Sequence, residues 1–120
     1  PGLVMGAIAG ALVGLFIVLP VFLVDVKWRS AVGSGDAVIV ENAARAWPIN
    51  PIRLNEAVKI FMDNNYPDKA RQLINLSVEK FPDGFISWYS FSQMPNLTEA
   101  EKTLILSNLH RLDPLNPKYK

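Results

Sequence analysis

The sequence has no cysteine and only one histidine, His110. Without cysteine the chain cannot form disulfides, thiolate metal sites or a thiol nucleophile. A single histidine also argues against a zinc site, which needs three or four converging ligands. Basic and acidic residues are nearly balanced, at 12 and 11, so no basic surface is suited to nucleic acid. We therefore expect no metal, no other cofactor and no nucleic-acid partner.

Charge is absent from the first 24 residues. As a helix, the apolar stretch from Gly2 to Val24 would span the roughly 30 Å hydrocarbon core of a bilayer. We predict a transmembrane helix over residues 1–26, in contact with membrane lipid, and a juxtamembrane linker over 27–35. Trp28 suits the headgroup zone, and Lys27 with Arg29 favours a cytoplasmic side for the following residues, although upstream loops could reverse this.

Four glycines of this stretch recur every fourth residue: Gly2, Gly6, Gly10 and Gly14. This spacing places them on one stripe of the helix, where a neighbouring backbone can approach closely. We predict that the stripe packs against other transmembrane helices of the same or another chain. The alternative is that glycine is simply common in membrane helices.

The chain begins at Pro1 without an initiator methionine. This suggests a processed product or the tail of a longer chain. A secretory signal peptide would have a basic start, a shorter apolar region and a small-residue cleavage site, and the opening fits none of these well.

Beyond residue 35 the apolar residues recur at helical spacing, which predicts an all-α helical domain over 36–120. Asp36 is a natural N-cap for a helix over 37–47, and Pro67 suits the first position of a later helix. Thr98 and Glu101 have the spacing of a capping box at the start of the last helix. We predict that five aromatic residues fill the space between the helices: Trp47, Phe81, Phe85, Trp88 and Phe91.

Three prolines, Pro48, Pro82 and Pro114, lie 34 and 32 residues apart. A recurrence near 34 is typical of stacked helix-turn-helix units, and the region resembles tetratricopeptide repeats. Ala70 lies where that family has a small alanine and Phe61 where it has an aromatic residue. Three positions depart from the family pattern, so the repeats are degenerate: Asn65, Ser77 and Lys102.

The order of these features resembles the C-terminal tail of bacterial O-antigen ligase and polymerase membrane proteins. A membrane helix is followed by a polar stretch, a half repeat ending at Pro48, a full repeat and a closing segment over 112–117. The resemblance implies a polytopic inner (cytoplasmic) membrane enzyme that transfers or polymerises lipid-linked glycans. Its functional histidine and arginine would lie on a loop between earlier helices, so no catalytic residue is assigned in this chain.

Tetratricopeptide units bind partners through the first helix of each hairpin. The resemblance therefore implies a face that binds a protein or glycan-carrier partner and comprises Asn55, Lys59, Met62 and Asp63. The alternative is that these are ordinary exposed helix positions, because so few repeats form little of a concave groove.

Two other polar positions have ordinary structural explanations. His110 near the end of a helix favours the helix dipole, so we expect a capping role rather than catalysis. Glu99 and Glu101 point in different directions on a helix, so we expect a solvated face rather than a carboxylate pair.

Three functions fit these features. The first is the terminal membrane helix and repeat domain of a glycan ligase or polymerase. The second is a single-pass scaffold without catalytic activity, whose repeats tether a soluble partner to the membrane. The third is a secreted repeat protein that retains its signal, which we rank behind the other two.

Overall fold

The computed structural model describes residues 2–120 and divides into two compact units, one ending at Ile49 and one running Asn50–Lys120. Every regular element in the described part of the chain is helical, so the predicted all-α class is confirmed. The first unit contains α1 (Gly2–Ser34) and α2 (Ala37–Ala44). The second contains α3 (Pro51–Asp63), α4 (Pro67–Lys80), α5 (Phe85–Ser92), α6 (Glu99–Leu112) and a 3₁₀ helix (Pro117–Tyr119).

Helix α1 has 33 residues and is about 50 Å long at a rise of 1.5 Å per residue. Among the described residues it is the one helix long and apolar enough to cross a membrane. The stretch 27–35, predicted to be a linker, is instead helical as far as Ser34, and α2 packs against this part of α1. Trp28, predicted to face the headgroups, is instead buried.

Helix α2 begins at the predicted cap. The Asp36 carboxylate accepts hydrogen bonds from the backbone N–H groups of Val38 at 2.8 Å and Ile39 at 3.1 Å. The helix ends at Ala44, earlier than predicted, and Arg45 starts a turn. Trp47 therefore lies beyond the helix and is 76% exposed, so its predicted role in filling the space between helices is wrong.

Helices α3 and α4 form a contacting pair joined by residues 64–66. Asn65 adopts the left-handed conformation that suits the end of a helix, with φ of 63°. Pro67 occupies the start of α4, as predicted. The apolar faces of the two helices are buried and form the centre of this unit: Leu54, Ala57, Val58, Phe61, Ala70, Leu73 and Ile74.

Helices α5 and α6 form a second contacting pair. The predicted capping box at Thr98 and Glu101 is present, with both reciprocal hydrogen bonds made. Trp88 and Phe91 are buried as predicted, whereas Phe85 is 37% exposed. Glu101 also pairs with Arg71 of α4, so one carboxylate caps α6 and links it to the preceding pair of helices.

Candidate functional site

An open groove of about 550 Å³ lies between α3 and α5. Helix α3 contributes Ile52, Val58 and Met62 to its mostly apolar lining, and α5 contributes Ile86 and Tyr89. Ile52, Ile86 and Tyr89 are substantially exposed. Cavities of this size, with apolar walls and few polar groups, are where proteins usually bind ligands. The groove is therefore the candidate functional site of the second unit.

The structure places three of the four residues predicted to bind a partner along this groove, namely Asn55, Lys59 and Met62. Asp63 lies outside the lining, and its carboxylate accepts a hydrogen bond from Lys59 Nζ at 2.8 Å. That hydrogen bond, with the attraction between the two charges, raises the pKa of Lys59 above its ordinary value of 10.5. The edge of the groove thus carries a solvent-exposed pair of opposite charges.

Asn55 is the most informative polar residue of the groove. Its Nδ2 donates to the backbone carbonyl of Pro51 at 2.6 Å and lies 3.5 Å from Ser77 Oγ. Its Oδ1 is buried and has no hydrogen-bond partner among residues 2–120. A buried acceptor without a donor costs free energy. Because this oxygen has almost no surface open to solvent, the unsatisfied acceptor belongs to the interior behind the groove wall and is not presented to a bound partner.

A buried pair of hydroxyls extends from Asn55. Ser77 Oγ on α4 lies 2.7 Å from Ser87 Oγ on α5, and both residues are completely buried. Ser77 therefore has a structural role as a buried hydrogen-bonding residue. These contacts connect α3, α4 and α5 and hold the Asn55 amide in one orientation.

The α5 wall of the groove is not among the residues predicted from sequence. Ile86, Tyr89 and Gln93 recur at helical spacing, opposite the buried face that contains Trp88 and Phe91. That spacing is the signal that could have indicated a second apolar face on α5. The spacing does not indicate which helix lies beside that face. The groove forms only because α3 lies there.

The glycine stripe of α1 is open. All four positions lie in the helix, and a Cβ atom built at Gly2, Gly6, Gly10 or Gly14 would meet nothing within 4 Å among the described residues. Small side chains are therefore not required there by contacts within the described chain. This leaves the stripe accessible to another helix, and its packing against one stays a prediction.

The polar residues for which the sequence predicted a structural role lie at helix ends or in ion pairs. His110 and Arg111 are in the last turn of α6, and Arg111 pairs with Asp83 at 2.8 Å. Glu99 is exposed and pairs with Lys102, whereas Glu101 is only partly exposed. No group of three or more His, Asp or Glu side chains that could hold a metal ion occurs within residues 2–120.

No protein-family model, no curated protein and no solved structure matches the chain.

Proposed function

We propose that the chain is a membrane-anchored helical interaction module. Helix α1 crosses the bilayer, and the groove between α3 and α5 binds a segment of a partner. The observation that carries the proposal is the open, mostly apolar groove, whose walls leave Ile52, Ile86 and Tyr89 exposed. The partner segment that fits presents an apolar side chain to Ile86 and Tyr89.

The membrane assignment rests on the composition and surroundings of α1. From Gly2 to Leu23 the helix is uncharged, and its large apolar side chains are exposed on every side. Exposed apolar area of this extent is strongly unfavourable in water and favourable in a hydrocarbon environment. The open glycine stripe gives such a helix a face for other transmembrane helices.

We further propose that the module is the terminal membrane helix and degenerate tetratricopeptide domain of a bacterial inner-membrane protein that transfers or polymerises lipid-linked glycans. The support is the order of elements, with a membrane helix followed by α2 as a half repeat and by two helix pairs. In this arrangement the groove holds a protein or glycan carrier near an active site carried by an earlier part of the chain. The alternative is a single-pass scaffold without catalytic activity.

The reading frame upstream of Pro1 distinguishes these two forms of the proposal. Several further hydrophobic spans, with a polar loop that bears histidine and arginine, are expected for the glycan enzyme. A start codon immediately before Pro1 would remove the enzyme and leave the scaffold.

The groove is tested with the matched substitutions Ile86→Glu and Leu104→Glu in the full-length protein. Both positions are about half exposed, at 47% and 52%, but only Ile86 lines the groove. A photo-crosslinking amino acid at Tyr89 should give a discrete crosslinked product in native membranes. Ile86→Glu should abolish that product and Leu104→Glu should not.

The same pair of variants connects binding to activity. If the parent protein transfers glycan, Ile86→Glu should lower transfer and Leu104→Glu should leave it unchanged. A crosslinked product that survives Ile86→Glu would show that the groove is not the binding site, whatever the parent protein does.

A further inference from the structure

The length of α1 exceeds what a bilayer needs. Its 33 residues are about 50 Å long, against a hydrocarbon core of roughly 30 Å. The first charged residue is Asp25, which forms an exposed ion pair with Arg29 at 3.1 Å. If the uncharged part is embedded, the helix from Asp25 to Ser34 extends about 15 Å beyond the hydrocarbon.

Helix α2 folds back along this extension. Only Gly35 and Asp36 separate the two helices, which contact each other, and Gly35 has a φ of 69° that permits the reversal. The residues buried on α1 run back from Ala31 through Trp28 to Val24. That stretch rises about 10 Å, close to the length of about 12 Å expected for the eight residues of α2.

The end of α2 therefore lies near the level of Val24, the last residue of the uncharged stretch. Trp47 follows three residues after Ala44 and is 76% exposed, whereas Trp28 and Trp88 are each 6% exposed. An indole combines a large apolar ring with one N–H donor, and tryptophan is enriched at the headgroup level of membranes. Trp47, the one exposed tryptophan among the described residues, therefore follows closely on a helix that ends near this level.

We propose that Trp47 inserts into the headgroup region of the bilayer and provides a second membrane contact beside α1. This inference rests on the proposed membrane span of α1. Trp28, the tryptophan predicted for this role, is buried and cannot make the contact. With both contacts in place, the reversal at Gly35 returns the first unit to the lipid surface at Trp47.

The depth of Trp47 can be measured with the full chain in vesicles of phosphatidylethanolamine and phosphatidylglycerol. Lipids brominated near either the carbonyl end or the methyl end of the acyl chain quench tryptophan according to depth. The difference between the unmodified protein and a Trp47→Phe variant isolates the emission of Trp47. We expect Trp47 to lose most of its emission with the shallow bromines, to lose less with the deep ones, and to be shielded from aqueous iodide.

A matched variant tests whether the start of α2 lies farther from the lipid than Trp47. Val38 is 60% exposed and lies in the first turn of α2, at the opposite end from Trp47. In the Trp47→Phe background, Val38→Trp should be quenched by iodide and not by brominated lipid. Equal lipid quenching at positions 38 and 47 would overturn the orientation of α2 from which the proposal is argued, because α2 would then lie flat on the membrane.

A third variant separates failure of this inference from failure of the membrane span. Phe16, 84% exposed, lies well within the uncharged stretch. In the Trp47→Phe background, Phe16→Trp should be quenched by the deep bromines. If it is, and Trp47 responds to iodide alone, the span stands and the role of Trp47 is wrong. If Phe16→Trp is not quenched by lipid, the span itself fails and this inference fails with it.

Discussion

Phe16 in α1 and Phe61 in α3 are the same side chain in opposite surroundings, 84% exposed in one unit and 1% exposed in the other. The difference follows from pattern rather than composition. The buried apolar residues of α3 share one face, which α4 and α5 contact, whereas Ile52 stays exposed in the groove. The apolar residues of α1 before Val24 occupy all faces and are nearly all exposed. The second unit supplies its own interior, whereas α1 requires lipid or other helices.

The second unit and α1 also differ in their polar contacts. In the second unit, buried or partly buried polar side chains connect different helices, as in the Ser77–Ser87 hydrogen bond and the Arg71–Glu101 ion pair. The uncharged stretch of α1 contains no side chain that could form such an ion pair. Specific packing in the second unit is therefore fixed by apolar contacts together with polar ones.

The largest expected effect distinguishes the two phenylalanines. Phe61→Ala should lower the free energy of unfolding of the second unit by about 3–5 kcal/mol, because it leaves a cavity in a closed core. Phe16→Ala should change it by less than about 0.5 kcal/mol, because no core forms around that side chain. Urea denaturation of the full chain in detergent micelles, followed by Trp88 fluorescence, measures both. Similar losses for the two variants would contradict the separation into a self-sufficient unit and a lipid-dependent helix.

A smaller effect tests the polar contacts of the second unit. Ser87→Ala should lower its stability by about 1–3 kcal/mol, because Ser77 Oγ loses a buried hydrogen-bond partner. The double variant Ser77→Ala with Ser87→Ala should cost less than the sum of the two single variants, since it removes both groups together. The same denaturation experiment yields all three values. Strict additivity would show that the two hydroxyls do not depend on each other.

Features encoded within a few residues were predictable from sequence. The cap at Asp36, the helix start at Pro67 and the box formed by Thr98 and Glu101 each depend on hydrogen bonds or dihedral limits local to a helix end. The apolar stretch of α1 is equally local, because length and lack of charge define it.

Features that depend on neighbouring elements were not predictable in the same way. Trp47 fits the apolar spacing of α2, but the helix ends at Ala44 and the spacing no longer applies. Charges after Val24 suggested the end of the helix, whereas α1 continues because α2 packs on it. The side of the groove formed by α5 could be predicted only if the position of α3 were known. In each case the deciding contact joins residues that no short sequence pattern relates.

The smallest expected effect concerns Glu101, whose charge serves the second unit alone. The backbone N–H of Thr98 donates a hydrogen bond to the Glu101 carboxylate. This bond, together with the Thr98 hydroxyl and Arg71, lowers the pKa of Glu101 below its ordinary value of 4.5. A carboxylate with a lowered pKa in the folded state stabilises fully above its ordinary pKa, and the contribution disappears as the pH falls through the lowered value. Glu101→Gln should therefore be less stable than the unmodified protein at neutral pH, with a difference that shrinks as the pH falls below about 4.5. Thermal unfolding across this pH range, monitored by Trp88 fluorescence, measures that difference in stability. If the difference grew as the pH fell, the ionised carboxylate would not be what stabilises the start of α6.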